Sequence, residues 1–263
     1  MDAHTHPYIS TGLKENKFGV EFDAALDLYR AAARLPQIEV VGIDCHIGSN
    51  LIEYAPLIAA LDKMIELTDR LAAEGIRLRH LNLGGGLGIR YRDETPPNIR
   101  DYMREVFARI GERRLRLLFE PGRCLVGNAG VLLTRVEYLK HGAARNFAVV
   151  DAAMNDLIRP VLYEAWHDII PVRNSGGPGA VYDVVGPICE SADFLGKERH
   201  LAVREGDLLA VMSAGAYAMC MSSNYNSRPR AAEVMADGTQ THLIRERERP
   251  EALFALEHLV RPK

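Results

Sequence analysis

The chain has 263 residues, 48% apolar and 25% charged, with 32 basic and 35 acidic side chains and a net charge of −3. This composition excludes a disordered or collagen-like chain and gives ample material for a buried core, as one large domain or two ordinary ones. The charges form no basic block, which argues against a nucleic-acid partner and a polybasic membrane anchor, and the longest apolar runs, such as residues 131–134 and 147–150, are far too short to cross a bilayer.

The opening residues, MDAHTHPYIS, show no cationic segment followed by an apolar one, so no secretory signal is expected. Four cysteines (Cys45, Cys124, Cys189, Cys220) are far apart and form no CxxC pair. They read as free thiols in a reducing compartment, which points to the cytoplasm.

Residues 39–46 (EVVGIDCH) make a short apolar run suited to a buried strand. Across residues 54–74, Leu57, Ile58, Leu61, Met64, Ile65, Thr68 and Leu71 recur at threes and fours, which predicts a helix that Gly75 stops. Residues 78–83 are the next predicted strand and run into Gly84-Gly85-Gly86. Residues 97–112 are the next helix, with Pro97 suited to its first turn. Residues 115–119 (LRLLF) are a third strand, running into Glu120-Pro121-Gly122-Arg123. This alternation predicts right-handed βαβ units and a parallel sheet. Beyond Arg123 the strand-like stretches are residues 131–138, 147–151, 181–185 and 207–211, and helical periodicity is confined to the stretch around residues 214–222. The second half therefore reads as a separate, mostly antiparallel β domain. The predicted division is residues 1–123 and 124–263.

Three successive strands of the first half thus end in polar or glycine-rich residues: His46-Ile47-Gly48-Ser49, Gly84-Gly85-Gly86 and Glu120-Pro121-Gly122-Arg123. In a parallel α/β sheet or barrel, ligands sit at such ends. The glycines either form only a tight turn or direct backbone N–H groups at an anion, with Ser49 and Arg123 completing a phosphate cage. The dinucleotide spacing G-x-G-x-x-G does not fit. Glu120, partly desolvated after an apolar strand, requires a cation: an arginine such as Arg123, or a protonated heterocycle nitrogen. His46 is either a satisfied core histidine or a ring against a ligand. In the second half, Cys189 lies beside Glu190 and Asp193 and is either a buried thiol near solvated acids or a proton donor or nucleophile. Arg159 and Tyr163 are four apart and can face one ligand, and Ser213-Ala214-Gly215-Ala216-Tyr217 presents Tyr217.

Seven stretches in this order resemble the fold-type III pyridoxal-phosphate-dependent decarboxylases, and among them the branch acting on meso-diaminopimelate. They are THPYISTGLKENKFG (residues 5–19), HIGS (46–49), LNLGGGLGI (81–89), EPGR (120–123), NDLIRPVLY (155–163), GPICESAD (186–193) and SAGAYAMCMSSNYNSRPR (213–230). The resemblance implies an α/β fold, a parallel (β/α)8 barrel followed by a β domain, and pyridoxal 5′-phosphate as cofactor. It implies that His46 stacks on the pyridine ring and that Ser49, Gly84, Gly85, Gly86, Gly122 and Arg123 hold the phosphate. Glu120 would keep the ring nitrogen protonated, and Tyr217 would reach cofactor and substrate. Cys189 would return a proton to the α-carbon in the partner subunit's site, which implies a two-fold homodimer. A diacid substrate keeps a distal carboxylate, which suits Arg123 and Arg159, and a distal ammonium, which suits Glu190. With Tyr163 and Tyr217 these residues form the expected substrate set, for a reaction yielding L-lysine and CO2.

The chain departs from the family in one respect. Family members form a Schiff base with a lysine on an early barrel strand. Here the lysines are Lys14, Lys17, Lys63, Lys140, Lys197 and Lys263, and none ends an apolar strand. A whole barrel takes about 250 residues, and only about 120 precede the β domain here. The expectation is the C-terminal portion of the barrel plus the β domain, a fragment that folds poorly and is inactive alone. Two other readings compete. Asp2-Ala3-His4-Thr5-His6 resembles the HxH metal ligands of amidohydrolases. A non-catalytic chain that binds the cofactor in a regulatory role is the other.

Overall fold

The computed structural model describes residues 18–173 and 176–260. His4, His6, Lys14, Lys17, Lys263 and residues 5–17 of the first matching stretch lie outside the described residues. The chain divides into two compact units, Met1–Val126 (unit 1) and Gly127–Lys263 (unit 2).

Unit 1 alternates helix and strand: α1 (Phe22–Ala33), β1 (Gly42–Asp44), α2 (Ala55–Ala73), β2 (His80–Asn82), α3 (Ile99–Ile110), β3 (Arg116–Leu118) and the short α4 (Arg123–Val126). The strands pair in parallel in the order β1-β2-β3, with Asp44 opposite Asn82 and Asn82 opposite Leu118. Alternation along each strand sets two faces. Ile43, Leu81 and Leu117 pack into a core with Leu61, Leu71 and Val106 of the helices. The intervening positions, Asp44, His80, Asn82 and Arg116, make the opposite face mostly polar, with Leu118 as its exposed apolar member. Leu61, Leu71, Leu81 and Val106 are fully buried, each contributing about 1.5–3 kcal/mol. α1 was not expected. Pro97 does not open α3 either: Asn98 is the N-cap, and its Oδ1 accepts from Arg100 N at 2.9 Å and Asp101 N at 3.3 Å. An asparagine side chain supplies the acceptor that the orphan N–H groups need, so the helix begins one residue past it.

Unit 2 is a six-stranded sheet of β4 (Leu132–His141), β5 (Asn146–Val150), β6 (Ile169–Pro171), β7 (Ala180–Val185), β8 (Phe194–Leu201) and β9 (Leu208–Val211), in the order β6-β9-β4-β5-β7-β8. All neighbours are antiparallel except β5 and β7. A short helix, α5 (Arg159–Tyr163), precedes β6, and β10 (Glu233–Asp237) and β11 (Gln240–Arg245) form an antiparallel hairpin. Val136, Val150, Leu157, Val184, Leu195, Leu209 and Val211 make the core.

The helix expected around residues 214–222 is absent; only a 3-10 turn at Met219–Met221 forms there. Ser213 (φ 57°) and Tyr217 (φ 59°) are left-handed and interrupt any helix through that stretch. β8 escaped notice because its FLGKERHL run carries charges in the middle. All four cysteines are free thiols. Among the described residues, no helix is long and apolar enough to cross a membrane, and no cluster of three or more His, Cys, Asp or Glu side chains could hold a metal ion.

Candidate functional site

At the tips of β1, β2 and β3 the backbones diverge into three loops that lace together. Leu51 N donates to Gly86 O at 2.8 Å, Gly88 N to Leu51 O at 2.8 Å, and Glu120 N to Gly84 O at 2.8 Å. The glycines allow this approach. A Cβ on Gly85 would stand 2.4 Å from the Glu120 carbonyl oxygen, and Gly86, at φ +109°, would press a Cβ to 2.6 Å from Gly48 O. His46, exposed, turns Nδ1 towards the Gly85 N–H at 3.4 Å.

Arg123 leads into α4 and is buried. Its Nη2 donates to Ser49 Oγ at 3.0 Å, and its Nη1 donates to the Tyr91 hydroxyl. Gly122 immediately precedes α4, its carbonyl accepting from Leu125 N at 3.0 Å. Tyr91 is set in turn by Glu94, whose Oε2 accepts from Tyr91 N at 2.9 Å and Arg92 N at 2.7 Å. Burial works to raise the Glu94 carboxyl, but the backbone N–H bonds outweigh it and hold it below its ordinary value.

Glu120 is exposed, and its Oε1 accepts from Asn82 Nδ2 at 2.7 Å. Burial first, and then the Glu120 charge, push the neighbouring Asp44 carboxyl above its ordinary value, with His46 working against them. The structure therefore brings His46, Ser49, Gly84, Gly85, Gly86, Glu120, Gly122 and Arg123 to one set of strand tips. The Ser49 hydroxyl and the Arg123 guanidinium bond each other, and the glycine loop lies against Glu120 and His46. This donor set fits a phosphate ester joined to a basic ring.

In unit 2, the turn carrying Cys189 and Glu190 is fastened by Asp193, which is buried. Asp193 Oδ1 accepts from Met154 N and Oδ2 from Ile188 N, both at 2.7 Å. Its burial pushes the carboxyl above the ordinary value against those bonds. Cys189 is exposed, and Glu190 accepts a hydrogen bond from the Tyr225 hydroxyl. Arg228 Nε donates to Asn155 Oδ1 at 2.9 Å, so the 155, 186–193 and 222–230 segments share one network.

Arg159 is buried, and its Nη1 lies 2.8 Å from His167 Nε2. The Met212 carbonyl, 2.8 Å from His167 Nδ1, can only accept, so the proton sits on Nδ1 and Nε2 accepts from Arg159. Tyr163 ends the same short helix and is half-buried, and Tyr217 is exposed at its left-handed position.

Sequence reasoning assigned nothing to Tyr91, Asn82 or Tyr225. Asn82 left a signal, a polar residue alternating with Leu81 and Leu83; a lone tyrosine in a loop leaves none.

The chain is 60% identical over 260 residues to the diaminopimelate decarboxylase of Pseudomonas aeruginosa, covering 99% of this chain and 63% of that protein. Residues 1–127 match the family model described as pyridoxal-dependent decarboxylase, pyridoxal binding domain. Over nearly its whole length the chain is similar to members of the pyridoxal-dependent decarboxylase family. A second family member, the diaminopimelate decarboxylase of Vibrio cholerae, is 58% identical over 261 residues, with 99% of this chain and 63% of that protein covered. The chain thus spans a little under two thirds of the length of the curated family members it matches. Among solved structures, diaminopimelate decarboxylase from Helicobacter pylori complexed with L-lysine matches with a TM-score of 0.93 at 41% identity, covering 97% of this chain and 64% of that one.

Proposed function

We propose that this chain supplies the cofactor grip and substrate-facing loops for pyridoxal 5′-phosphate-dependent decarboxylation of meso-diaminopimelate to L-lysine and CO2. The observation that carries the reading is the Ser49–Arg123–Tyr91 chain beside the glycine loop, at the same strand tips as Glu120. Ser49, Arg123 and the Gly84–Gly86 backbone would hold the phosphate. His46 would lie on the ring, and Glu120 would hold the ring nitrogen in its protonated form. When bound, the cofactor supplies an electron sink for the pair left by loss of CO2. The residues of this chain bind, orient and handle protons around it.

Cys189, an exposed thiol, would return a proton to the α-carbon; Arg159, Tyr163 and Glu190 would receive the distal carboxylate and ammonium of the diacid, with Tyr217 reaching both ligands. In this reading unit 1 is the C-terminal portion of a parallel (β/α)8 barrel and unit 2 the β domain that follows it. The assembly is a two-fold homodimer working in the cytoplasm, a compartment that suits four free thiols.

The described lysines, Lys63 on α2, Lys140 on β4 and Lys197 on β8, are not on the loops that follow β1, β2 and β3. That favours a second reading, a chain that binds the cofactor reversibly without turnover. CO2 release from meso-diaminopimelate separates the two.

Equilibrium titration with pyridoxal 5′-phosphate and with pyridoxal tests the grip. The phosphate ester should bind at least about 100-fold more tightly. Equal binding of the two, or none of either, would refute the reading.

A further inference from the structure

Asn82 sits at the end of β2, the central strand, between Asp44 on β1 and Leu118 on β3. Its side chain bridges two of the three loops. Nδ2 donates to Glu120 Oε1 at 2.7 Å, and Oδ1 accepts from Gly84 N at 3.0 Å. The Gly84 N–H can only donate, so the amide oxygen must face it, and the amide NH2 is then obliged to face Glu120. A donor there needs an acceptor, which the Glu120 carboxyl oxygen supplies. From this geometry we infer that Asn82 is a positioning residue for the cofactor ring. It locks the start of the glycine loop with one end of its amide and aims the Glu120 carboxyl group with the other.

The inference rests on the proposed role of Glu120. Asparagine is the side chain that does both jobs. An aspartate would keep the acceptor for Gly84 but set a further carboxylate against Glu120, close to Asp44. A leucine of similar size would satisfy neither.

These two substitutions separate the functions. In the full chain, Gly84 amide hydrogen exchange, affinity for pyridoxal 5′-phosphate and the 15N resonance of the bound ring nitrogen would be measured for Asn82→Asp and Asn82→Leu. In Asn82→Asp, Gly84 exchange should stay near the wild-type rate while cofactor affinity falls about tenfold. In Asn82→Leu, Gly84 exchange should rise by about tenfold or more. Affinity should fall as well, and the ring nitrogen should move towards the resonance of an unprotonated pyridine. A purely structural role would change exchange and affinity together in both variants and leave the ring resonance in place.

Wild-type affinity and resonance in both variants would overturn the inference while leaving the functional reading intact. If the wild-type chain binds no pyridoxal 5′-phosphate, the functional reading is what fails. In either case an unchanged Gly84 exchange rate in Asn82→Leu overturns the inference. Should Asn82→Leu fail to fold, the split expected in Asn82→Asp still decides.

Discussion

In unit 1 the residues that meet come from three short segments, each following a strand of one parallel sheet, so sheet register brings the segments together and the Asn82–Glu120 and Arg123–Ser49 side-chain bonds join them. In unit 2, Cys189, Glu190, Arg159 and Tyr217 stand on turns and a five-residue helix, and side-chain bonds both within those segments and across long sequence separations hold them in place. The first arrangement is fixed by sheet register; the second depends on a handful of buried polar contacts. Damage to the tips should therefore abolish ligand binding with little loss of fold, while damage to the loop network should cost stability first.

The largest effect is expected at the tips. Arg123→Ala removes the partner of both Ser49 and the Tyr91 hydroxyl, and affinity for pyridoxal 5′-phosphate should fall at least about 100-fold by fluorescence titration. A loss under about threefold would place the phosphate elsewhere. Gly85→Ala should act almost as strongly, because its Cβ would meet the Glu120 carbonyl oxygen at 2.4 Å and one loop must move.

Next comes the unit 2 network. Asp193→Ala strands two buried backbone N–H groups, those of Met154 and Ile188, and should lower stability by about 2–3 kcal/mol in urea denaturation. A change within about 0.5 kcal/mol would mean that the turn is held by something else.

Much of unit 1 was legible because its signals are local. The glycine run, the residues 120–123 that end the third apolar stretch and the 3.6-residue periodicity of α2 each lie within a single segment. What stayed hidden depends on distance in the chain. Tyr91 acquires meaning only from Arg123, and Tyr225 only from Glu190. The left-handed Ser213 and Tyr217 are not glycines, so nothing in their residue types announces the break that removes the expected helix. Three paired residues per strand, against five to eight expected, reflect how early the loops leave the sheet to lace with one another.

A smaller effect is expected from acid. Glu248 accepts from Arg230 N at 2.9 Å and from the Asn224 and Arg230 side chains, which lowers its carboxyl from 4.5 to about 2. A carboxyl depressed in the folded state stabilises above its ordinary value, and the contribution is lost as pH falls towards the folded one. Protection of residues 222–230 against hydrogen exchange, taken relative to the intrinsic amide rate at each pH, should therefore fall between about pH 4.5 and 2, and Glu248→Gln should flatten that dependence. An identical profile in the variant would assign the effect to another group.

The central claim is that three strand tips make one site for a phosphorylated ring. Backbone amide resonances followed during titration with pyridoxal 5′-phosphate test it most directly. The predicted result is saturable shifts at Ser49, Gly84, Gly85, Gly86, Glu120 and Arg123, all with one dissociation constant. Shifts scattered over other surfaces, or different constants for the three loops, would contradict it.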